Sequence, residues 1–183
     1  MPRIHILGAS GSGTTTLGAA LAPRLGLVHF DSDDFFWASS ENPFTIKRDA
    51  AERNALLLQS LAGAPHWALS GSISGWDAPE CEALIEGAVW LLTPSEVRMA
   101  RLREREERLY GAAIAPGGAQ HEEFEEFIAW AGRYDSAGLE QRSRAKHEWW
   151  LARLGRPVLL IEGDTSVAER MEQVIAWLGS LGA

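Results

Sequence analysis

The sequence predicts an α/β fold: a three-layer, doubly wound structure with a five-stranded parallel sheet between helices. Short apolar runs alternate with helical stretches along the chain, which is typical of parallel strands joined by crossover helices. The run at residues 88–92 is continuously apolar, as expected for a strand that is buried on both faces. With 183 residues, the chain fits one domain over 1–183, with a helical insertion at about 103–150 that the sheet does not explain.

The elements follow from these patterns in order. We predict five strands, at residues 3–7, 27–31, 66–70, 88–92 and 157–161. We predict helices over residues 14–25, 46–61, 95–109, 121–134 and 139–154, and a last helix from residue 166. Pro23 is expected to close or bend the first helix, and Ser166 with Glu169 has the form of a capping box at the start of the last. The Asp-rich and aromatic segment after the second strand is expected to be a loop.

Composition narrows the possible partners. The net charge of −8 argues against general nucleic-acid binding, because phosphates need a basic face. No apolar run reaches the roughly 20 residues of a membrane span, and the single cysteine, Cys81, is expected to be a small buried hydrophobe of a cytoplasmic protein. There are two lysines against fifteen arginines, so we expect arginine to supply most phosphate contacts.

A loop suited to phosphate follows the first predicted strand directly. Its residues are Gly8-Ala9-Ser10-Gly11-Ser12-Gly13-Thr14-Thr15. They match the phosphate-loop template (glycine, four residues, glycine, lysine, serine or threonine) except at the lysine, which is Thr14. Glycines let backbone amides turn inward around an anion, and the positive end of the next helix faces the same anion. We therefore predict phosphate binding, over a plain Gly/Ser turn or a dinucleotide fingerprint, whose glycine spacing is not met.

With this loop, the chain resembles the adenylate-kinase-like branch of the P-loop kinases, and within it the topology-modulation, shikimate-kinase-like and gluconate-kinase-like proteins. Four further segments carry the resemblance: residues 29–37, Ser70-Gly71-Ser72, residues 89–105, and Ile161-Glu162-Gly163-Asp164. The resemblance implies the strand order 2-3-1-4-5 and a lid at about 103–150. It also implies ATP and Mg²⁺ as cofactors, with a nucleotide and a small-molecule acceptor as partners.

The resemblance and the positions of these segments assign roles to residues. Expected nucleotide contacts are Gly8, Ser10, Gly11, Ser12, Gly13, Thr14, Thr15, Thr16, Arg105, Gly163 and Asp164. Expected catalytic residues are Asp33, as the base, with Arg101 and Arg142; expected Mg²⁺ ligands are Thr15 and Asp33. The expected acceptor-binding residues are Asp31, Trp37, Arg48, Ser70, Gly71, Ser72 and Trp76.

Structural alternatives exist for these roles. Asp31 and Asp33 have the form of a turn or helix cap, and the arginines at 98–108 alternate with glutamates as on a solvated helix. Arg142 and Arg144 are two residues apart, so only one of them reaches a phosphate if the segment is helical. Trp37 and Trp76 are equally suited to substrate stacking and to core packing.

Other aromatic and histidine positions are expected to be structural. We predict core packing for four further tryptophans, Trp67, Trp90, Trp149 and Trp177. His121 and His147 have no metal-ligand spacing to other histidines or to the cysteine, so we predict surface positions for both.

Two departures from the family pattern leave three functions open. Thr14 removes the lysine cation, and residues 71–76 replace the Gly-Phe/Tyr-Pro-Arg signature of nucleoside-monophosphate kinases. The first hypothesis is an ATP-dependent small-molecule kinase. The second is a nucleotide-binding protein with little or no transferase activity, and the third is a nucleoside-monophosphate kinase. The acceptor and the oligomeric state stay open.

Overall fold

Five parallel strands form one sheet in the computed structural model, which describes residues 2–40 and 45–181. The strands are β1 (Arg3–Gly8), β2 (Val28–Asp31), β3 (Trp67–Ser70), β4 (Gly87–Leu92) and β5 (Val158–Glu162). Their order is β2-β3-β1-β4-β5, which confirms the predicted order. β1 lies in the middle, paired with β3 and β4, and is buried almost throughout.

Helices connect the strands and cover both faces of the sheet. They are α1 (Thr14–Leu25), α2 (Ser32–Phe36), α3 (Ala50–Gly63), α4 (Pro79–Ala83), α5 (Ser95–Tyr110), α6 (His121–Gly132), α7 (Arg144–Leu154) and α8 (Val167–Leu181). Short 3₁₀ turns lie at Gly111–Ala113 and Arg133–Asp135. None of the helices within residues 2–40 and 45–181 is both long and apolar enough to cross a bilayer.

Two apolar cores lie on opposite faces of the sheet. One joins the sheet to α1 and α8 and includes Leu17, Leu21 and Val174. The other joins it to α3, α4 and α7, with Leu57 and Trp150 fully buried. A smaller cluster holds α5 against α6. The segment at 103–150 is therefore divided: α5 and α6 pack on each other, whereas α7 packs on the sheet.

Three expectations about local structure were wrong. α7 begins at Arg144 instead of residue 139, because Ser143 caps it by accepting a hydrogen bond from the Lys146 amide. A helix, α2, replaces the loop predicted after β2, because the Asp31 side chain accepts a hydrogen bond from the Asp33 amide and caps it. The next helix begins at Ala50 instead of residue 46. Asp49 caps it by accepting hydrogen bonds from the Ala51 and Glu52 amides, and Lys47 pairs with Trp37 in an antiparallel bridge.

The capping box predicted for α8 is confirmed. The Glu169 carboxylate accepts from the Ser166 amide at 2.8 Å, and the Glu169 amide donates to Ser166 Oγ at 3.2 Å. Pro23 lies inside α1, which nevertheless continues to Leu25 and ends at Gly26 in the left-handed region.

Candidate nucleotide and acceptor site

Several of the predicted site residues lie at the carboxyl ends of β1, β3 and β2. β1 runs into the phosphate loop, β2 ends at Asp31, and β3 ends at Ser70. Because β1, β3 and β2 are neighbours and parallel, these ends meet at one edge of the sheet. Ligands of open α/β sheets bind at this edge.

The phosphate loop turns back on itself between β1 and α1. The Ser12 amide donates to the Ala9 carbonyl at 3.1 Å, and Gly11 and Gly13 have φ of 79° and 91°. Both φ values lie in the left-handed region, which residues other than glycine rarely adopt. A Cβ on Gly8 would lie 2.8 Å from the Leu91 carbonyl oxygen, so this position has no room for a side chain either.

Asp31 joins three elements at the edge of the sheet. Its Oδ2 accepts hydrogen bonds from Thr15 Oγ1 at 2.6 Å and from Ser70 Oγ at 2.9 Å, while its Oδ1 accepts from the Asp33 amide at 3.0 Å. The hydroxyl of Thr15 at the start of α1 is therefore paired with Asp31 and not with Asp33, the carboxylate predicted to share a metal with it.

Two arginines of the segment at 103–150, Arg142 and Arg105, act electrostatically on Asp33. Asp33 is exposed at the surface, yet partial desolvation by its neighbours is the main cause that raises its pKa, and the charge of Arg142 opposes the rise. Asp31 and Asp34 add to the rise, and Arg105 acts against it. The result is a carboxyl whose affinity for a proton exceeds that of an ordinary surface aspartate.

Arg142 extends from the segment before α7 towards the phosphate loop. Its Nη1 lies 3.5 Å from Ser10 Oγ, and its guanidinium lies over the Trp130 ring at 5.7 Å. Burial lowers its pKa, and Asp33, Tyr134 and Asp31 raise it. Arg144 points elsewhere and pairs with Glu148 at 3.0 Å. Only Arg142 of the two contacts the phosphate loop, and because it precedes α7, the spacing argument for a helix does not apply to it.

The turn after β3 is held by close backbone packing. Gly71 has φ of 98°, and a Cβ there would lie 1.8 Å from Ser32 Oγ. The Ser72 side chain points away from the sheet edge to His147 Nε2, at 2.9 Å. Trp76 is 8% exposed and stacks over the buried Arg53 guanidinium, 4.2 Å from its ring centre. The structure thus favours the packing interpretation for Trp76.

Arg48 braces the segment around Trp37. Its guanidinium donates to the carbonyls of Phe35 and Trp37 and pairs with Glu52 at 2.9 Å. Trp37 is half-buried, and its ring meets that of Phe36 edge-on at 4.8 Å. These contacts fix one side of the predicted acceptor pocket.

The segment after β5 lies beside the middle of α5. Gly163 has φ of 91°, and its amide donates to the Leu92 carbonyl. Asp164 pairs with Arg101 at 2.6 Å, and both side chains are about half exposed. Arg105 pairs with its neighbour Glu106. Arg101 and Asp164, predicted separately, are therefore in direct contact.

A buried chain of hydrogen bonds, which the sequence did not indicate, lies behind the Ser70-Gly71-Ser72 turn. Trp90 Nε1 donates to Tyr134 Oη at 3.2 Å, and Tyr134 Oη bonds His147 Nδ1 at 2.8 Å. The prediction of a surface position for His147 was wrong, since it is fully buried, and burial lowers its pKa to about 3. Trp149, predicted to be in the core, is 49% exposed. The inward face of α7 carries a histidine, and the outward face carries a tryptophan.

Two further residues at the site were missed. His29 Nε2 lies 3.0 Å from Ser70 Oγ, and burial lowers its pKa. Arg170 of α8 donates to the Ser12 carbonyl of the phosphate loop at 2.6 Å. His29 lies in the segment 29–37 that carries the resemblance, but no role was assigned to it. Arg170 has no local sequence signal, because it reaches the loop from α8, which is remote in the chain.

A parallel sheet of order 2-3-1-4-5 with a glycine-rich loop between β1 and α1 defines the P-loop kinase fold. Solved structures with this fold include the shikimate kinase of Bacteroides thetaiotaomicron (TM-score 0.59, 19% identity, 97% of this chain and 98% of that one). A gluconokinase of Sinorhizobium meliloti is also similar (TM-score 0.54, 16% identity, 98% and 93%).

Relatives by sequence narrow the family further. The chain is 46% identical to the uncharacterized protein YqaC of Bacillus subtilis over 97% of both chains. It is 30% identical to a cytidylate kinase of Halobacterium salinarum over 69% of this chain and 72% of that protein. No protein-family model matches the sequence. The chain belongs to the family of P-loop kinases that includes YqaC and this cytidylate kinase.

Proposed function

We propose that this protein is an ATP-dependent kinase that transfers the γ-phosphoryl group of ATP to a small-molecule acceptor. The observation that carries the proposal is the contact between Thr15 and Asp31 at the mouth of the phosphate loop. It brings a hydroxyl from the start of α1 and a carboxylate from the end of β2 to the place where the triphosphate and its metal would lie. Kinship with P-loop kinases supports the same reaction class.

The residues present fit Mg²⁺. Within residues 2–40 and 45–181, no group of three or more His, Cys, Asp or Glu side chains is placed to hold a metal alone. Mg²⁺ needs fewer, because it keeps several waters and binds substrate phosphates with one or two protein oxygens. Thr15 and Asp31 supply two such oxygens, and Asp33 is the predicted alternative. Bound Mg²⁺ would neutralise part of the phosphate charge during transfer.

Asp33 is the proposed general base. Its raised pKa makes this carboxylate more basic than that of an ordinary aspartate, so it accepts a proton from an acceptor hydroxyl more readily. In the reaction, the acceptor oxygen forms a bond to the γ-phosphorus and the bond to the β,γ-bridging oxygen breaks. The hydroxyl proton passes to Asp33, and ADP leaves with the electron pair of the broken bond.

Arginine takes over charge that lysine supplies in the usual phosphate loop. Arg142 is next to Ser10 and in the field of Asp33 and Asp31, so it lies between the loop and the proposed base. A guanidinium at this position stabilises the phosphoryl group as its charge redistributes. Thr14 itself offers a hydroxyl and the backbone amide at the first position of α1.

The two substrates occupy opposite sides of Asp31. The adenine is proposed to lie near Gly163 and Asp164, where Arg101 closes one side, with Arg105 further along α5. The acceptor is proposed to lie by Asp33 and the Ser70-Gly71-Ser72 turn. Trp37, with Arg48 behind it, is proposed to form the wall on that side.

Calorimetry and a turnover assay test this function together. Mg·ATP is titrated into the protein, and ADP release is then measured with a panel of polyols, sugar acids, shikimate and nucleoside monophosphates. We expect binding of Mg·ATP and acceptor-dependent ADP release. The Thr15→Val variant serves as the control, since it removes only the hydroxyl that binds Asp31. Absence of Mg·ATP binding in the wild type would overturn the proposal.

A nucleoside monophosphate is the second candidate acceptor, because one relative is a cytidylate kinase. Cytidylate in the panel tests it directly. A protein that binds nucleotide without transferring phosphate is the other alternative, and Thr14 favours it. Mg·ATP binding without turnover of any acceptor would support that alternative and contradict the kinase proposal.

A further inference from the structure

Arg170 is a buried cation without an acidic partner. It lies on α8 and is 3% exposed. Its three hydrogen bonds go to neutral oxygens: Ser12 O at 2.6 Å, Thr165 Oγ1 at 2.9 Å and Thr93 Oγ1 at 3.3 Å. Within residues 2–40 and 45–181 it forms no ion pair. Burying a charge without a counter-charge is costly, so this position calls for a reason beyond packing.

The carboxylate that favours the charged form of Arg170, that of Asp164, already forms an ion pair with another arginine. Asp164 favours its charged form, but Asp164 is paired with Arg101 at 2.6 Å, and Arg101 itself disfavours a second cation nearby. Arg98, another buried arginine of the same region, differs because it pairs with Asp135. The positive field of Arg170 is therefore largely uncompensated by the protein.

This uncompensated charge is directed at the phosphate loop. The carbonyl oxygen that Arg170 binds belongs to the peptide group between Ser12 and Gly13. The guanidinium also occupies the space beside Gly13, where a Cβ would lie 3.1 Å from Nη1. A donor on a peptide carbonyl polarises the peptide and strengthens its N–H group as a donor. The Gly13 amide is one of those expected to bind phosphate.

We propose that Arg170 is a positioning residue that supplies the phosphate loop, through the Ser12–Gly13 peptide, with positive charge that the loop lacks because residue 14 is threonine. The proposal rests on the nucleotide binding proposed above. It assigns Arg170 no contact with the substrate: its charge acts from behind the loop, whereas Arg142 approaches Ser10 from the insertion. The anion it favours is a polyphosphate, recognised by charge and not by its base.

Charge removal and charge restoration test this role. Calorimetry measures Kd of Mg·ATP and of Mg·tripolyphosphate for the wild type, Arg170→Gln, and Arg170→Gln combined with Thr14→Lys. We expect Arg170→Gln to weaken the binding of both ligands about tenfold, because it removes a positive charge from behind the loop. The added lysine should restore most of that loss. If the role of Arg170 were purely structural, Arg170→Gln would lower the melting temperature, and adding Thr14→Lys would not restore the affinity for either ligand.

Arg53→Gln is the matched control. Arg53 is also a buried arginine that donates to a main-chain carbonyl, that of Trp76, but it lies outside the phosphate loop. We expect this variant to lose stability and to keep the Mg·ATP Kd of the wild type.

A conservative variant carries the test if Arg170→Gln does not fold. Arg170→Lys keeps the charge with fewer fixed donors, so we expect Kd within about threefold of wild type despite a lower melting temperature. If Kd weakens in step with the melting temperature, the role is bracing and the inference is wrong. If the wild type binds Mg·ATP and Arg170→Gln has the same Kd, this inference is wrong and the proposed function is unaffected. Absence of wild-type binding overturns the proposed function and this inference with it.

Discussion

Thr14 occupies the position at which a lysine would reach the terminal phosphates. It is only partly exposed at the first position of α1, next to the left-handed Gly13. Thr14→Lys should raise ADP release about tenfold or more, because a mobile cation then follows the migrating phosphoryl group. The measurement is kcat with the best acceptor of the panel.

An added charge elsewhere on α1 separates this effect from a general electrostatic one. Ala19→Lys places the same charge on an exposed position one turn further along the helix and should leave kcat unchanged. Equal rates for Thr14→Lys and the wild type would show that the existing arginines already meet the need for charge.

Two neighbouring carboxylates, Asp33 and Asp34, provide a matched test of the base. Asp33→Asn should lower kcat by about 10²–10⁴-fold with little change in KM, because the amide cannot accept the proton. Asp34→Asn should change kcat by far less, since Arg142 acts on Asp33 and is not among the groups that shift the pKa of Asp34. Equal losses in the two variants would contradict the assignment.

The turn from β3 towards α4 has a geometry that tolerates little change. Gly71→Ala should lower the free energy of unfolding by about 2–4 kcal/mol, because it combines positive φ with a contact on Ser32. Gly179→Ala, inside α8 with open space around it, should raise that free energy by up to about 1 kcal/mol. Urea unfolding followed by tryptophan fluorescence measures both. A Gly71→Ala protein as stable as the wild type would contradict this account.

Strands and helices differed in how well the sequence predicted them. Each strand contains a short run with apolar residues, so all five were found to within one residue at each end. The short α2 was missed because the residues that cap and begin it, Asp31 to Asp34, are also those of a turn. On α7 the inward face is set by Ser143, His147 and Trp150, which bond or pack against buried neighbours. The surface prediction for His147 rested on its missing metal-ligand spacing and the core prediction for Trp149 on its hydrophobicity, and neither pattern shows which face of the helix turns inward.

At the scale of the whole molecule, stability should fall in mild acid. Burial lowers the pKa of His5 to about 4 and that of His147 to about 3, from 6.5. A lowered pKa in the folded state means that the unfolded chain binds protons first. The stabilisation is thus complete above pH 6.5 and is lost as pH falls towards 3–4. We expect a loss of about 2 kcal/mol per histidine between pH 7.5 and 5.

Denaturant unfolding at the two pH values checks this dependence. His147→Gln keeps hydrogen-bonding capacity but does not titrate. Between pH 7.5 and 5 its free energy of unfolding should therefore fall by about 2 kcal/mol less than that of the wild type. His121→Gln changes a histidine that is not fully buried and should keep the wild-type pH dependence. Parallel curves for wild type and His147→Gln would rule out the contribution of His147.

The candidate site was predictable where its residues are consecutive in the chain. The phosphate loop and the pair Asp31 and Asp33 follow directly from strand ends, and the sequence placed them correctly at the sheet edge. Residues that reach the site through tertiary packing, such as Arg170, carry no such pattern. Their roles depend on distances between elements that only the folded chain defines.

The hydrogen bonds around His147 have a kinetic consequence for Arg142. Arg142 lies between Tyr134, which is joined to Trp90 of the sheet, and His147, which is joined to Ser72. Both ends of its segment are thus anchored, so the nucleotide proposed to bind here would meet a preorganised charge. α6, by contrast, packs on α5. Amide hydrogens of α7 should therefore exchange only with global unfolding, whereas those of α6 exchange through local opening.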